Sequence, residues 1–461
     1  MSAAPGRSWL RNATLADGRQ VDVGLDGALI VSVVPAGSRP KGVGRPGEHR
    51  SEAAERSPNV PAGSRPKGVA RPGEHRSAAA ERSPNVTAGE AALGEPGEDL
   101  TGMLLLPAPA EPHAHLDKVY TSELAPNPKG DLMGAINGWT QFLPTLTNAD
   151  MVKRATAGSL DLLVHGVTAV RTHVNVHDGI ELRAVEALLE VKRSIGHLID
   201  IQIVALAAWI VGEAGAAQRK LLREAAMMDP SIIIGGVPHL DSDPLLSTDI
   251  SMDLAGELGR SLDLHTDETL DPSHLELLYL AQRVMVTGFT GGVVASHCCS
   301  LAMQELSVQR DTAAEVAAAG ISVIALPQTN LFLQARDHAV GAPRGLTAVR
   351  PLLDAGVNVA AGADNVRDPF NSMGRSDPFE TAALMVMAGH LLPHEAFSTI
   401  TDGARRAMGV TVVGVEAGSP AELLAVPGHS LATAMAAASD HRIVWHHGRV
   451  VARTTVSSTF G

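Results

Sequence analysis

Short apolar runs alternate along the chain with longer segments in which apolar residues recur at helical spacing. From residue 200 onward, four successive runs begin about 30 residues apart, which is the length of one strand–helix unit. Asn148–His165 has the periodicity of an amphipathic helix with Asn148 as its N-cap. Eight runs, each followed by a helical segment, predict an α/β fold of the (β/α)8 TIM-barrel type. The runs are Leu104–His115, Val167–Val174, Asp200–Ala207, Ser231–Pro238, Ser261–Asp267, Gly291–Cys298, Ile321–Gln328 and Val357–Asp364.

The two ends of the chain carry a different pattern of short, alternating strands. We expect both ends to join in one small β-sandwich domain. Between the N-terminal strands and the barrel lies a 26-residue tandem repeat rich in Pro, Gly, Ser, Arg and Glu, which predicts a disordered insertion rather than a solenoid. The predicted units are residues 1–34 (first part of the β-domain), 35–95 (insertion, with the repeat at 35–86), 96–410 (barrel) and 411–461 (second part of the β-domain).

Composition and charge exclude several classes of function. Two adjacent cysteines cannot form a disulfide framework, and a net charge of −13 disfavours nucleic-acid or membrane-surface binding. No apolar run approaches the ~18 residues that span a bilayer, and the first residues contain no secretory apolar segment. We therefore expect a cytoplasmic protein that acts on a small molecule. The 19 histidines point to metal binding or acid–base chemistry.

Polar residues end several of the predicted barrel strands. His113 and His115 are two residues apart in EPHAHLD, so on a strand their side chains project to the same face. The strand LDLHTDE supplies His265 and, just beyond it, Glu268. Because catalytic groups of this fold lie at the C-terminal ends of strands, we expect these residues to share one rim. The last two members, His297 in VVASHCC and Asp364 in VAAGADN, end further strands.

This set of residues suits metal-assisted hydrolysis. Three neutral histidines and one carboxylate favour one divalent ion, Zn(II) or Fe(II), and SIIIGGVPH contains no lysine that could bridge two metals. A metal-bound water becomes a nucleophile near neutral pH, and Asp364 is placed to accept its proton. We expect Glu268 to protonate a substrate nitrogen, and His297 to hydrogen-bond the oxygen that becomes the product carbonyl.

From about Met103 to Gly409 the chain resembles the cytosine deaminases of the amidohydrolase superfamily. The motifs that carry the resemblance are EPHAHLD, GWT, VRTHVNV, DIQIVA, GGVPH, LDLHTDE, ASH, PQTNLFLQAR and GADNVRDPF. The resemblance implies a metal-dependent barrel enzyme, often oligomeric, with a small β-domain at both flanks. It also implies that the metal ligands are His113, His115, His265 and Asp364, and that the acid–base and polarising residues are Glu268 and His297.

The substrate pocket departs from the family pattern. Ala208 stands where the cytosine enzymes carry a glutamine that hydrogen-bonds the pyrimidine, and Trp209 adds bulk beside it. Asn365 replaces a second aspartate, and Phe370 replaces a tryptophan. A methyl group cannot pair with a polar ring edge, so these changes predict an altered substrate. Trp139, His173 and His239 complete the expected pocket.

Three functions are compatible with the sequence. The first is a mononuclear deaminase that releases ammonia from cytosine or a related amino-substituted nitrogen heterocycle. The second uses the same residues to cleave another C–N bond, such as that of an N-alkylamino-triazine or a cyclic amide. The third is an inactive metal-binding scaffold. The complete set of six polar rim residues argues against the third, because an inactive descendant would be expected to have lost at least one.

Overall fold

The computed structural model describes residues 7–38 and 97–460. In chain order, the strands are β1 (Ser8–Thr14), β2 (Gln20–Asp26), β3 (Leu29–Pro35), β4 (Gly97–Asp99), β5 (Met103–Pro107), β6 (Ala110–Ala114), β7 (Ala169–Asn175), β8 (Asp200–Ala207), β9 (Ile233–Gly236), β10 (Leu262–Thr266), β11 (Val293–His297), β12 (Ser322–Ala325), β13 (Val359–Ala361), β14 (Leu423–Pro427), β15 (Ile443–His446) and β16 (Arg449–Arg453). Residues 39–86, which make up nearly all of the repeat, lie outside the described residues.

Strands β6 to β13 form one parallel sheet in chain order. A parallel bridge between Ala114 and Asp364 brings its first and last strands together, and the backbone N–H of Asp364 donates to the carbonyl of His113 at 3.0 Å. The predicted TIM-type barrel is therefore confirmed. Its strands are almost fully buried because helices cover the outside while side chains fill the inside.

Helices follow the barrel strands, as the alternating pattern predicts. Helix α2 is capped by Thr147, whose hydroxyl accepts from the Asp150 N–H at 3.2 Å, so Asn148, the predicted cap, is its first residue. The helices are α1 (Leu132–Phe142), α2 (Asn148–Val164), α3 (Arg183–Ile195), α4 (Ala216–Met228), α5 (Pro244–Leu258), α6 (Glu276–Thr287), α7 (Leu306–Ala318), α8 (Pro327–Leu333), α9 (Val349–Asp354), α10 (Pro378–Met387), α11 (Pro393–Ile400), α12 (Asp402–Ala407) and α13 (Leu431–Ala437). Within the described residues, none of them is long and apolar enough to cross a bilayer.

The two chain ends meet in a second sheet, in the order β16-β15-β14-β5-β1-β2-β3, with β4 paired to β1. The small β-domain predicted from both ends is thus present. The prediction of a single barrel strand over Leu104–His115 is wrong, because this segment forms two strands in two different sheets. Strand β5 pairs with β14 and β1, whereas β6 begins the barrel. Prolines at 107 and 109 lack the N–H that would continue one ladder, and the chain changes sheet there.

The apolar core of the barrel continues across the seam between the two sheets, and the second sheet also has a smaller core of its own. The larger core includes Leu424 of β14 and Val444 of β15, and the smaller core includes Leu10. At the seam, Arg442 makes a bidentate pair with Asp377 at 2.7 and 3.0 Å. The seam therefore fixes the second sheet against the helices of the barrel.

Candidate active site

The C-terminal ends of four barrel strands bring six polar side chains together. Strand β6 carries His113 and leads into His115, β10 carries His265, and β11 ends at His297. Backbone φ angles of 70° at His297 and 65° at Asp364 lie in the left-handed region, which is unfavourable for residues with a side chain. Such strain persists where the surrounding structure over-determines it, and it is concentrated at functional sites.

Four of these side chains form a tight, buried cluster. The Nε2 atoms of His115 and His265 are 3.2 Å apart. An Asp364 carboxylate oxygen (Oδ1) lies 3.3 Å from Nε2 of His115 and 3.6 Å from Nε2 of His113. Ligand atoms about 2.0–2.1 Å from a tetrahedral zinc lie roughly 3.4 Å from one another, so these separations fit a bound ion.

The protonation of the cluster also fits a cation. Burial, followed by the neighbouring positive or potentially positive groups, holds the pKa of His113, His115 and His265 well below the usual histidine range, so the three rings are neutral. Nε2 of His113 and both carboxylate oxygens of Asp364 are buried without a hydrogen-bond partner among the described residues. Buried acceptors without donors are costly, and a divalent cation would satisfy them.

Hydrogen bonds from two of the rings to neighbouring oxygen atoms fix their orientation. Nδ1 of His113 lies 2.9 Å from the Ser296 hydroxyl, and Nδ1 of His115 lies 3.1 Å from the carbonyl oxygen of His173. With the ring protons donated to these oxygens, the Nε2 lone pairs face the cluster. Ser296 in turn lies 3.5 Å from Asp263. Sequence reasoning missed Ser296 and Asp263, although each precedes a selected histidine on its strand by one or two residues.

Glu268 and His297 form the second part of the site. Burial, reinforced by the negative charge of Asp364, raises the pKa of Glu268 well above its usual value. Burial lowers the pKa of His297, whose Nδ1 lies 3.0 Å from the amide oxygen of Asn330 and 3.6 Å from Glu268. A carboxyl with a raised pKa thus lies beside a neutral imidazole. Since Nδ1–H donates to Asn330, Nε2 of His297 carries the free lone pair.

A cleft of about 670 Å³ opens above this cluster. Helix α1 contributes an apolar stripe, because Leu132, Ile136 and Trp139 recur at helical spacing on one face. Five of the predicted pocket residues line the cleft, namely Trp139, Ala208, Trp209, Asn365 and Phe370.

His173 and His239 are not among the residues that line the cleft. His173 stacks on His113 with ring centroids 3.8 Å apart, and its Nε2 lies 3.2 Å from Asp263. His239 follows β9, where burial lowers its pKa to about 3. Its neighbours Val237 and Leu240 line the cleft instead. Both histidines thus lie behind the wall of the cleft.

Besides Thr140 on α1, three polar residues that sequence reasoning did not place in the pocket also line the cleft. They are Lys118, Asn175 and His177. Each follows or ends one of the first two barrel strands, and that position was the available signal. In the sequence, Lys118 directly follows Asp117, a neighbour that favours a local ion pair over a chemical role. That pair is present, with Lys118 Nζ 3.0 Å from Asp117, but the lysine also reaches the cleft.

Comparison with known proteins identifies the family. Residues 141–452, more than half of the chain, match the family model described as the amidohydrolase family. The chain belongs to the amidohydrolase family. A pterin deaminase from Rhizobium rhizogenes is 33% identical over 366 residues, which are 77% of this chain and 82% of the relative. An N-isopropylammelide isopropyl amidohydrolase from Pseudomonas sp. is 24% identical over 373 residues, which are 78% of this chain and 88% of the relative.

Solved structures agree with this assignment. The 5-methylcytosine deaminase from Klebsiella pneumoniae, liganded with 5-fluorocytosine, superposes with a TM-score of 0.79 at 26% identity over 99% of both chains. An N-isopropylammelide isopropylaminohydrolase from Burkholderia multivorans shares the fold, with a TM-score of 0.74 at 24% identity over 97% of this chain and 99% of that one. The amidohydrolase is thus a deaminase-like hydrolase of C–N bonds in a metal-dependent superfamily.

Proposed function

We propose that this amidohydrolase removes an exocyclic amino group from a nitrogen heterocycle and releases ammonia, with an aminopteridine of the pterin type as the first candidate substrate. The observation that carries the proposal is the buried carboxyl of Glu268, whose pKa is raised, in the same cleft as a cluster of neutral histidines and a carboxylate that could hold a cation. The 33% identical pterin deaminase supports the choice of ring. Ala208 supports it too, because it removes an amide that a cytosine site would use.

We assign one divalent ion, Zn(II) or Fe(II), to His113, His115, His265 and Asp364. Such an ion supplies Lewis-acid activation of a water molecule. With the ion bound, the second carboxylate oxygen of Asp364 would take a proton from the attacking water, and Nε2 of His297 would accept a hydrogen bond from the attacking oxygen. The absence of lysine from Ile233–Gly236 supports a single ion.

The proton of Glu268 activates the substrate ring. Transfer to the ring nitrogen next to the attacked carbon makes that carbon more electrophilic. The proton taken by Asp364 then passes to the departing amino group, and the remaining hydroxyl proton returns to Glu268. Water and the amino-substituted ring thus give ammonia and the oxo-substituted ring, with Glu268 protonated again. Burial of Glu268 suits it to this task, because an exposed glutamate is ionised at neutral pH.

A second candidate reaction is the cleavage of an exocyclic C–N bond that carries an alkyl group. The apolar face of α1, with Leu132 and Ile136 on the cleft wall, favours this reaction because it offers a surface for an alkyl substituent. The relatives named for N-isopropylammelide support it as well. The two reactions differ in the amine released.

The test is a substrate panel with enzyme loaded separately with Zn(II) and Fe(II). The panel contains pterin, cytosine, 5-methylcytosine, an aminotriazine and N-isopropylammelide, and both ammonia and isopropylamine are quantified. We expect ammonia from pterin at the highest kcat/KM. Release of isopropylamine alone would replace the first reaction with the second. No amine from any member would refute both.

A further inference from the structure

The cleft contains a buried ammonium group that the proposed chemistry does not use. Lys118 is 2% exposed, and its Nζ lies 3.0 and 3.3 Å from the two carboxylate oxygens of Asp117. Asp117 also accepts from the backbone N–H of Asn175 at 3.1 Å. One buried carboxylate therefore fixes two neighbouring residues of the cleft wall, one after β6 and one at the end of β7.

The ammonium of Lys118 has hydrogen-bonding capacity to spare. Its other near neighbour is Nδ1 of His115, at 3.1 Å. When His115 offers Nε2 to a cation, its Nδ1 carries a proton that is donated to the carbonyl of His173, so it cannot accept from Lys118. Within residues 7–38 and 97–460, Lys118 Nζ has no further acceptor, yet Lys118 lines the cleft.

The carboxamide of Asn175 is likewise available. Asn175 lines the cleft, and its side chain makes no hydrogen bond within the described part of the chain. Aromatic rings border the same region, because Lys118 Nζ lies 5.5 Å from the Trp139 ring centroid and 5.8 Å from that of Phe370. Flat apolar walls thus surround a polar edge formed by Lys118 and Asn175.

The position of this edge matters for the reaction. In the eight-strand order, β6 and β7 are four places from β10 and β11, and four places in a closed eight-stranded barrel correspond to opposite sides. Glu268 and His297 follow or end β10 and β11. A ring whose far edge contacts Lys118 and Asn175 therefore presents its opposite edge to the proton donor.

We propose that Lys118 and Asn175 form a specificity-determining subsite that donates hydrogen bonds to an exocyclic oxygen of a flat, oxo-substituted aminoheterocycle. The inference rests on the proposed function for the identity of the ring class. The subsite takes over the polar recognition that Ala208 cannot provide. An amino group in place of the oxygen cannot accept hydrogen bonds from Lys118 and Asn175, so the subsite discriminates against it.

The test compares the binding of pterin with that of 2,4-diaminopteridine, in which an amino group replaces the ring oxygen. Dissociation constants are measured by pteridine fluorescence in a metal-loaded Glu268→Gln background, so that turnover does not interfere. Adding Lys118→Met is expected to weaken pterin binding about 10- to 100-fold, because a charged hydrogen bond is lost. Binding of the diamino ring is expected to change less than about threefold. Lys153→Met, on the exposed side of α2, is the matched control.

Metal content is measured for each variant, since Lys118 touches His115. Asn175→Ala provides an independent test, because Asn175 contacts no proposed metal ligand and its backbone N–H survives the substitution. We expect it to weaken pterin binding about 3- to 10-fold and to leave metal content unchanged. Equal losses for both rings, or no loss in either variant, would overturn the subsite.

The outcome separates this inference from the proposed function. If pterin binds with a preference that depends on Lys118 but the unmutated enzyme releases no ammonia from it, the deaminase proposal fails and the subsite stands. If the enzyme deaminates pterin and Lys118→Met and Asn175→Ala leave the preference intact, the subsite fails alone. If pterin does not bind to the metal-loaded protein at all, the subsite is refuted.

Discussion

Burial shifts the pKa values of individual residues of the site away from those that the same side chains have in water. The carboxyl of Glu268 is 6% exposed, and its pKa is raised by burial and by Asp364. The same burial lowers the pKa of three histidines in the cluster. The site therefore combines a carboxyl with a raised pKa and neutral imidazoles side by side.

Glu268→Gln tests the role of this carboxyl. The amide keeps the shape of the side chain but cannot transfer a proton, so kcat is expected to fall by at least about 10²- to 10⁴-fold. Metal content is expected to remain unchanged, because Glu268 is not in the His113–His115–Asp364 cluster. Steady-state kinetics and elemental analysis check both statements. Retained turnover would remove Glu268 from the mechanism.

At the scale of elements, the ends of strands and helices place the groups of the cleft. The buried carboxyl of Glu111 accepts from the backbone N–H groups of His113 at 3.1 Å and Ala363 at 3.0 Å, so it ties β6 to the segment after β13. Burial raises the pKa of Glu111 to about 8. The carboxyl thus helps to hold the proposed ligands at the point where the barrel closes.

The N-terminal cap of helix α1 helps to position one wall of the cleft. Asp131 accepts from the Gly134 N–H at 2.6 Å, and the helix then carries Trp139 to the cleft. Asp131→Ala is expected to destabilise the protein by about 1 kcal/mol and to raise KM, because the helix loses its N-terminal hydrogen bond. Urea unfolding and kinetics measure the two effects.

Thr147→Ala is the matched control for this prediction. Thr147 caps α2 in the same way, but α2 supplies no residue to the cleft. We expect a similar loss of stability, about 1 kcal/mol, with KM unchanged. An equal rise of KM in both variants would show that the effect of Asp131 is general rather than local.

At the scale of the whole molecule, buried charges join the second sheet to the barrel. Arg442 and Asp377 are 0% and 1% exposed, and Arg442 also donates to the carbonyl of His165 at 2.6 Å. Arg442→Met leaves the Asp377 carboxylate buried without its partner, which is expected to cost about 3–5 kcal/mol of unfolding free energy.

An exposed ion pair provides the control for Arg442. Arg350 makes a bidentate pair with Glu395 at 3.0 Å, but Arg350 is 47% exposed. Arg350→Met is expected to cost less than about 1 kcal/mol, because water screens the pair and solvates the carboxylate that remains. Urea denaturation of both variants checks the comparison. Equal losses would contradict the special role of the seam.

A second buried carboxylate near the seam predicts a pH dependence of stability. Burial acts to raise the pKa of Glu422, but hydrogen bonds from His446 at 2.8 Å and from the backbone N–H of His447 at 2.8 Å outweigh it, so the pKa is lowered. A lowered carboxyl pKa stabilises the fold above the unfolded value of about 4.3. That contribution is lost as the pH falls through the folded value.

Glu422→Gln tests this dependence. Relative to the variant, the unmutated protein is expected to lose more unfolding free energy between about pH 6 and pH 3, a range that extends below the unfolded value of about 4.3, because only the carboxylate takes up a proton on unfolding. Urea titrations at both pH values provide the measurement. Parallel losses in the two proteins would show that Glu422 does not contribute to the acid sensitivity.

Much of the fold could be predicted because most barrel strands are rich in apolar residues and each is separated from the next by a helical segment. The first run was misread because β5 and β6 are both apolar and adjacent in sequence, and only their partners differ. The antiparallel partner of β5 is β14, which lies more than 300 positions further along the chain. No local pattern contains that information.

The sequence by itself determined the strand ends, and therefore which histidines and carboxylates share the rim of the barrel. It also located the loss of a polar group at Ala208. Only the tertiary structure decided which of these residues face the cleft. His173 turns behind His113, whereas Lys118 reaches the cleft from its pair with Asp117. The physical reason is that the direction of a side chain after a strand end depends on its hydrogen-bond partners, and these come from distant parts of the chain.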